Sequence, residues 1–145
     1  MRKKGFTLVE VLLVIVIVAI LAAIVIVAIN PARQISQANN TQRSSDINAV
    51  LNAVQEYAIE NRGALPTSIT TTATAMGSGV GLIDICTDLV PTYIVEMPYD
   101  PTATGAAYTD CSTYTTGYNI SKDANNRVTV AAPGAELSET LSISR

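Results

Sequence analysis

The chain has 145 residues, 48% of them hydrophobic and only 14% charged, against a usual charged share of about 25%. It holds no His and no Trp, so the commonest general base and the commonest zinc ligand are missing, which disfavours most hydrolase and metalloenzyme readings. The formal net charge is −3, and without Arg2, Lys3 and Lys4 six cations face twelve acids; a body that acidic is a poor general partner for nucleic acid, whose phosphates need a basic surface.

The charge deficit is concentrated near the N-terminus. Arg2, Lys3 and Lys4 precede an unbroken apolar run from Val11 to Ile29. As a helix this run rises about 28 Å, close to the hydrocarbon thickness of a bilayer. Val and Ile are weak helix formers in water, but a segment in lipid must satisfy its own backbone, so a helix is expected. The positive-inside rule keeps the three cations cytoplasmic and puts the residues after Asn30 outside. A cleaved secretory signal fits poorly: the run exceeds the usual apolar region of about 7–15 residues, and Glu10 at its entrance is unusual. A plain anchor has no use for Glu10. A carboxylate there costs up to about 2.5–3.5 kcal/mol on insertion scales and calls for a partner.

The octapeptide Lys3-Lys4-Gly5-Phe6-Thr7-Leu8-Val9-Glu10 resembles the type III signal of type IV pilins and pseudopilins. The resemblance covers about thirty residues, and its specificity lies in the combined order of basic leader, Gly-Phe junction, Thr-Leu, Glu and apolar run. It implies a leader of residues 1–5, cut by prepilin peptidase on the cytoplasmic side between Gly5 and Phe6, with methylation of the new terminus. It gives Glu10 the task of neutralising the Phe6 amine of a neighbouring subunit during assembly. That pairing is physically coherent. The amine is cationic at neutral pH, with a pKa of about 7.7–8.0. Either charge alone in an apolar bundle would be costly, whereas the pair is tolerated.

The same resemblance implies a structural, non-enzymatic subunit that assembles as a homo-oligomer into a helical, type IV pilus-like extracellular filament. Its precursor would be a single-pass protein of the inner membrane with the globular part outside. Its partners would be the peptidase, an assembly ATPase and platform proteins. A type II secretion pseudopilin is the alternative within the class, followed by a minor pilin of a DNA-uptake machine. A membrane-tethered binding domain that never polymerises is the alternative from another class, and an enzyme is the weakest.

Beyond the apolar run, Asn30-Pro31 either kinks the helix or opens a new one with Pro31 in its first turn. One helix is expected from Phe6 to Arg62, about 85 Å if continuous. Residues 32–46 are polar except for Ile35 and read as an exit zone. Ile47, Val50, Leu51, Val54, Tyr57 and Ala58 then fall on one face, with Gln55, Glu56, Glu60 and Arg62 turned away. Gly63 and Pro66 supply the stop.

Residues 63–112 read as a loop region holding a short helix over 82–90, with a strand as runner-up, and a brief extended segment over 93–97. Pro98 to Thr102 is turn chemistry. Over 113–145 the pattern alternates. Tyr114–Ser121 and Arg127–Ala131 form a hairpin about the turn 122–126, and Leu141–Arg145 is a third strand. The expected fold class is α+β: a long N-terminal helix, transmembrane in its first half and amphipathic in its second, packed on a small antiparallel sheet. The domain division is leader 1–5, assembly helix 6–30 and globular domain 31–145, the last being helix 31–62, loops 63–112 and sheet 113–145. It agrees with the pilin architecture that the N-terminus implies.

Cys86 and Cys111 are the only cysteines. Export favours a disulfide between them, with two separate buried thiols as the alternative. Asp100, Asp110, Asp123, Asn125 and Asn126 are hard-oxygen candidates, and major pseudopilins, which this chain resembles, commonly bind calcium. Their spacing matches no calcium loop, and 123–126 is more simply a turn. No cofactor is expected. A Ser-His-Asp arrangement is impossible, and a Ser-Lys pair would have to use Lys122 in a predicted turn.

Overall fold

The structure, a computed structural model, describes residues 5–145, and the side chains of all of these but 27–29. Met1 to Lys4 of the expected leader lie outside the described residues. The chain divides after Ile35, and Ser36–Arg145 forms a compact unit of its own.

In the first unit, helix α1 runs from Leu8 to Ile29. Thr7 starts it in an extended conformation, φ −82° and ψ 152°. The segment Leu8–Ile26 is long and apolar enough to cross a membrane, and none of it is buried within the protein. Asn30 ends α1 in the left-handed region, with φ 48°. Pro31 opens helix α2, which extends to Glu60. Proline suits a first helical position because its missing N–H would be unpaired there anyway. The Asn30 side chain caps the new helix, its Oδ1 accepting the N–H of Arg33 at 3.3 Å. The single helix expected over residues 6–62 is therefore two helices, beginning at Leu8 and broken at Asn30.

In the second unit, α2 lays Ile47, Val50, Leu51 and Val54 against a sheet. Tyr57 continues the stripe half-buried, its ring edge-on to Tyr93 at 5.8 Å. Gly63 donates its N–H to the carbonyl of Ala58 at 2.7 Å, closing the helix end, with Arg62 and Gly63 both at positive φ. The expected core stripe and stop are both present.

The sheet has five antiparallel strands: β1 (Thr74–Gly77), β2 (Ala107–Asp110), β3 (Thr113–Lys122), β4 (Val128–Ala132) and β5 (Leu141–Ser144). Its main order is β1-β3-β4-β5, with β2 also paired to β3. The expected hairpin is β3–β4 and the expected third strand is β5. The sheet is not confined to 113–145, because β1 and β2 come from residues read as loop. They are short and rich in Thr, Ala and Gly, and so carry little alternation to detect. No strand forms over 93–97, and the helix expected over 82–90 shrinks to α3, Cys86–Leu89.

Tyr114, Thr116, Tyr118 and Ile120 of β3 and Val128, Val130 and Ala132 of β4 point into the core. Between Thr115 and Asn119, β3 carries an irregularity against β1, and Gly117 sits inside it with φ +76°. A Cβ there would lie 3.1 Å from the side chains of both Asp100 and Ala103. Cys86 and Cys111 form a disulfide with a Cα separation of 5.3 Å, joining α3 to the end of β2.

Two outcomes follow for stability. Gly117→Ala combines left-handed backbone strain with crowding, and lowers the unfolding free energy by about 1–3 kcal/mol. Replacing both cysteines with serine lowers it by about 3–4 kcal/mol through the loop that is released. Chemical denaturation of the full chain in detergent, read by tyrosine fluorescence, measures both.

Candidate functional site

The candidate processing junction lies just ahead of α1. Gly5 and Phe6 precede the helix in a non-helical stretch, and Phe6 is 83% exposed. A Cβ built on Gly5 meets nothing within 4 Å. Among the described residues the Gly5–Phe6 bond is thus uncovered, and it lies two residues upstream of the first helical residue.

Thr7 and Glu10 form a reciprocal capping box. The hydroxyl of Thr7 accepts the N–H of Glu10 at 3.3 Å, and the carboxylate of Glu10 accepts the N–H of Thr7 at 3.5 Å. Two N–H groups that the first turn would otherwise leave unpaired are satisfied this way. The carboxylate also faces the positive end of the helix dipole. Glu10 therefore has a local structural role besides any role between subunits. The signal was present in the order Thr7-Leu8-Val9-Glu10, which fits the capping-box spacing.

A second constellation lies in the globular unit, in the stretch read as an exit zone. Ser36, Asn39, Asn40, Arg43 and Asp46 continue the buried stripe of α2 toward its N-terminus in polar form, and Asn40, Arg43 and Asp46 are buried. The Arg43 guanidinium is fully buried and all five of its N–H groups are used. Nε donates to Asp100 Oδ2 at 2.8 Å and Nη2 to Asp100 Oδ1 at 3.1 Å. Nη1 donates to Asn40 Oδ1 and to Glu136 Oε2, both at 2.9 Å. The second Nη2 hydrogen goes to the Thr102 hydroxyl. Asn40 in turn donates to the Glu136 carbonyl at 2.9 Å and accepts the Glu136 N–H at 2.9 Å. Asn39 and Ser36 complete the shell around the Glu136 carboxylate.

The charges are tuned accordingly. Hydrogen bonds donated to Asp100, opposed by burial and reinforced by Glu136, raise the pKa of Arg43. Burial disfavours ionised Asp100, but Arg43 and the N–H groups of Thr102 and Ala103 outweigh it and hold the carboxyl below its usual range. Arg43, Asn39 and Ser36 lower Glu136 likewise. Next to this network Tyr118 donates to Asp46 Oδ2 at 2.7 Å, and burial, then that carboxylate, raises the phenol pKa. Among the described residues no buried side-chain nitrogen or oxygen lacks a partner.

The hard-oxygen candidates do not converge. Asp100 is held by Arg43 and its own turn, Asp110 accepts from the hydroxyl and N–H of Ser112, and Asp123 accepts from the N–H groups of Asn125 and Arg127. Each follows the local turn chemistry of Asp. No group of three or more potential metal-ligating side chains comes together among the described residues.

A family model for the prokaryotic N-terminal methylation motif matches residues 1–26. The N-terminus carries a prokaryotic methylation motif, in agreement with the resemblance of Lys3–Glu10 to the type IV pilin signal. The match takes in the basic leader, Gly5-Phe6, Glu10 and most of α1, so the prepilin-type signal and the membrane-length helix occupy the same residues. The α+β architecture of the globular unit agrees with the pilin-like layout. No curated protein and no solved structure matches the chain.

The buried network gives an expected outcome in acid. Asp100 and Glu136 have depressed pKa values in the fold, so their stabilisation is complete above the unfolded carboxyl range of about pH 4 and is lost as pH falls through the folded values. Asp100→Asn removes the buried bidentate carboxylate from Arg43, leaving it Glu136, and costs about 3–5 kcal/mol at neutral pH. Unfolding curves from pH 7 to 2 are expected to show a shallower acid limb in this variant than in the wild type.

Proposed function

We propose that the protein is a structural subunit of a type IV pilus-like extracellular filament. It is inserted as a single-pass precursor in the cytoplasmic membrane, with the globular unit outside, and is cut by prepilin peptidase between Gly5 and Phe6. Assembly ATPase and platform proteins then move it into the polymer. The observation that carries the reading is Glu10 at the head of an otherwise apolar, unburied helix whose preceding Gly-Phe junction is open.

The chemistry of assembly follows from those residues. Cleavage converts the Phe6 amide into an α-amine one residue ahead of the helix cap. The positive end of the helix dipole disfavours that amine, and a carboxylate at the third helical position offsets it. The capping box holds Glu10 at the helix head, where a neighbouring subunit can present its own terminus. Removal from water strengthens the pairing, because a lone charge in an apolar bundle costs several kcal/mol. The long Val, Ile and Leu surface of α1 supplies dispersion packing between subunits.

A purified polymer is expected to begin at N-methylated Phe6, read by mass spectrometry of the intact chain. A terminus at Met1, or a cut beyond Ala22, contradicts the proposal. Glu10→Ala is expected to insert normally and to abolish the polymer in sheared-surface fractions. Unchanged polymer yield in that variant removes the assembly role of Glu10, and absence of any wild-type polymer favours a membrane-tethered module.

A further inference from the structure

Two grooves flank α2 in the globular unit. One, of about 470 Å³, is lined by Gln55, Ile59, Asn125, Arg127 and Arg145 among others. Ile59 is 79% exposed, and both arginines are exposed. Arg145 donates to the Asn52 side chain at 2.7 Å, which fixes the cation beside the helix. The other, of about 360 Å³, is lined by Gln42, Asp46, Glu96, Met97, Tyr99 and Pro101 among others. Glu96 is exposed there, Tyr99 is half-exposed, and Val95 beside them is almost bare. Asp46 is already bound to Gln42 and Tyr118, so Glu96 is the outward anion of this groove.

Helix geometry places these grooves on opposite sides. At about 100° per residue, Gln42 lies about 130° and Asp46, at the buried edge of the stripe, about 90° to one side of the Ile47–Val54 centre line, and Gln55 about 90° and Ile59 about 130° to the other. The same rotation puts the exposed Glu60 on the Glu96 side, with the exposed Glu56 on the back of the helix, almost opposite the stripe. The Glu60 carboxylate accepts the Tyr93 hydroxyl at 2.7 Å, which ties the segment carrying Glu96 to that flank. The unit thus has an apolar and cationic flank and an apolar and anionic flank, offset by about 20 Å along the helix axis.

We propose that these flanks are the two halves of one contact between copies of this chain. The Arg127 and Arg145 groove of one copy receives Glu96 and Tyr99 of the next. Arg–carboxylate pairing and cation–π contact with the Tyr99 ring fit the groups on offer. The patches are different surfaces of one subunit, displaced along its axis. Such a contact is heterologous and extends into an open helix instead of closing a dimer. The exposed charges fix register and orientation, while α1 supplies the bulk of the attraction. The proposal rests on the filament reading above.

The test uses the full chain with its native disulfide. Glu96→Cys and Arg127→Cys variants carrying different tags are co-expressed and oxidised in membranes and in sheared surface fractions. Mixed disulfide dimers are expected to exceed either self-dimer by roughly tenfold, which corresponds to about 1.4 kcal/mol of pairing preference. Chains with Val80→Cys, an almost fully exposed site outside both grooves, serve as the random-collision control. Mixed dimers no more frequent than that control overturn the contact. Polymer without the cross-link overturns the contact and keeps the filament reading, whereas the cross-link without polymer keeps the contact and overturns the filament reading. A Glu96→Arg chain is also expected to lose polymer yield, and adding Arg127→Glu to restore it; failure of the second change to restore it counts against the pairing.

Discussion

One buried cation holds the globular unit in its arrangement. Arg43 reaches from α2 to Asp100 in the segment before β2 and to Glu136 in the segment between β4 and β5. Taking a guanidinium out of water is costly, and the cost is offset only where every N–H finds an acceptor of good geometry. Here all five do, two of them on one carboxylate. The local backbone is adjusted to permit this. Gly117 has no side chain to crowd Asp100, and a Cβ on Gly134 would come within 2.7 Å of Asp100 Oδ2. The glycines, the Asp100 turn and the polar stripe of α2 are thus parts of one arrangement. A buried ion pair of this kind adds little net stability over an apolar replacement, but breaking it is expensive. Its contribution is to specify where two irregular segments lie on the helix.

The first unit answers to a different solvent. Its apolar helix buries nothing within the protein, and its one acid sits at the head, tied back to the backbone by Thr7. Glu10 is therefore ordered before any partner arrives. Pre-organisation lowers the entropy lost on association, so under the proposed filament function the same local cap would also ready Glu10 for pairing with a neighbouring subunit.

What could be read from the sequence divides along the same physical lines. Apolar periodicity located the core face of α2 from Ile47 to Tyr57 and the hairpin β3–β4, because burial of aliphatic side chains leaves a period. The N-terminal methylation motif was legible through the order of its residues. The polar half of the α2 stripe was not, although Ser36, Asn40, Arg43 and Ile47 keep helical spacing. Polar residues signal burial only when their partners are known, and Asp100 and Glu136 lie 57 and 93 positions away from Arg43. Strands β1 and β2 escaped for a related reason. They are four residues each and gain their order from β3, not from their own composition. Of the two readings open at Asn30-Pro31, the new helix starting at Pro31 is the one observed. A hydropathy pattern could not choose it, because a left-handed Asn that ends one helix and caps the next leaves no apolar period.

The Cys86–Cys111 bond, besides its effect on the unfolded ensemble, sets how the chain bears a pulling force. A load applied along the backbone passes from sulfur to sulfur and bypasses residues 87–110. Those residues, about 80 Å of contour if drawn out straight, stay slack behind the covalent link. Tension entering from α2 therefore reaches β3 without stretching the irregular segment that carries Asp100. Asp100, the fully buried anchor of Arg43, sits in the sheltered loop, out of the line of mechanical strain.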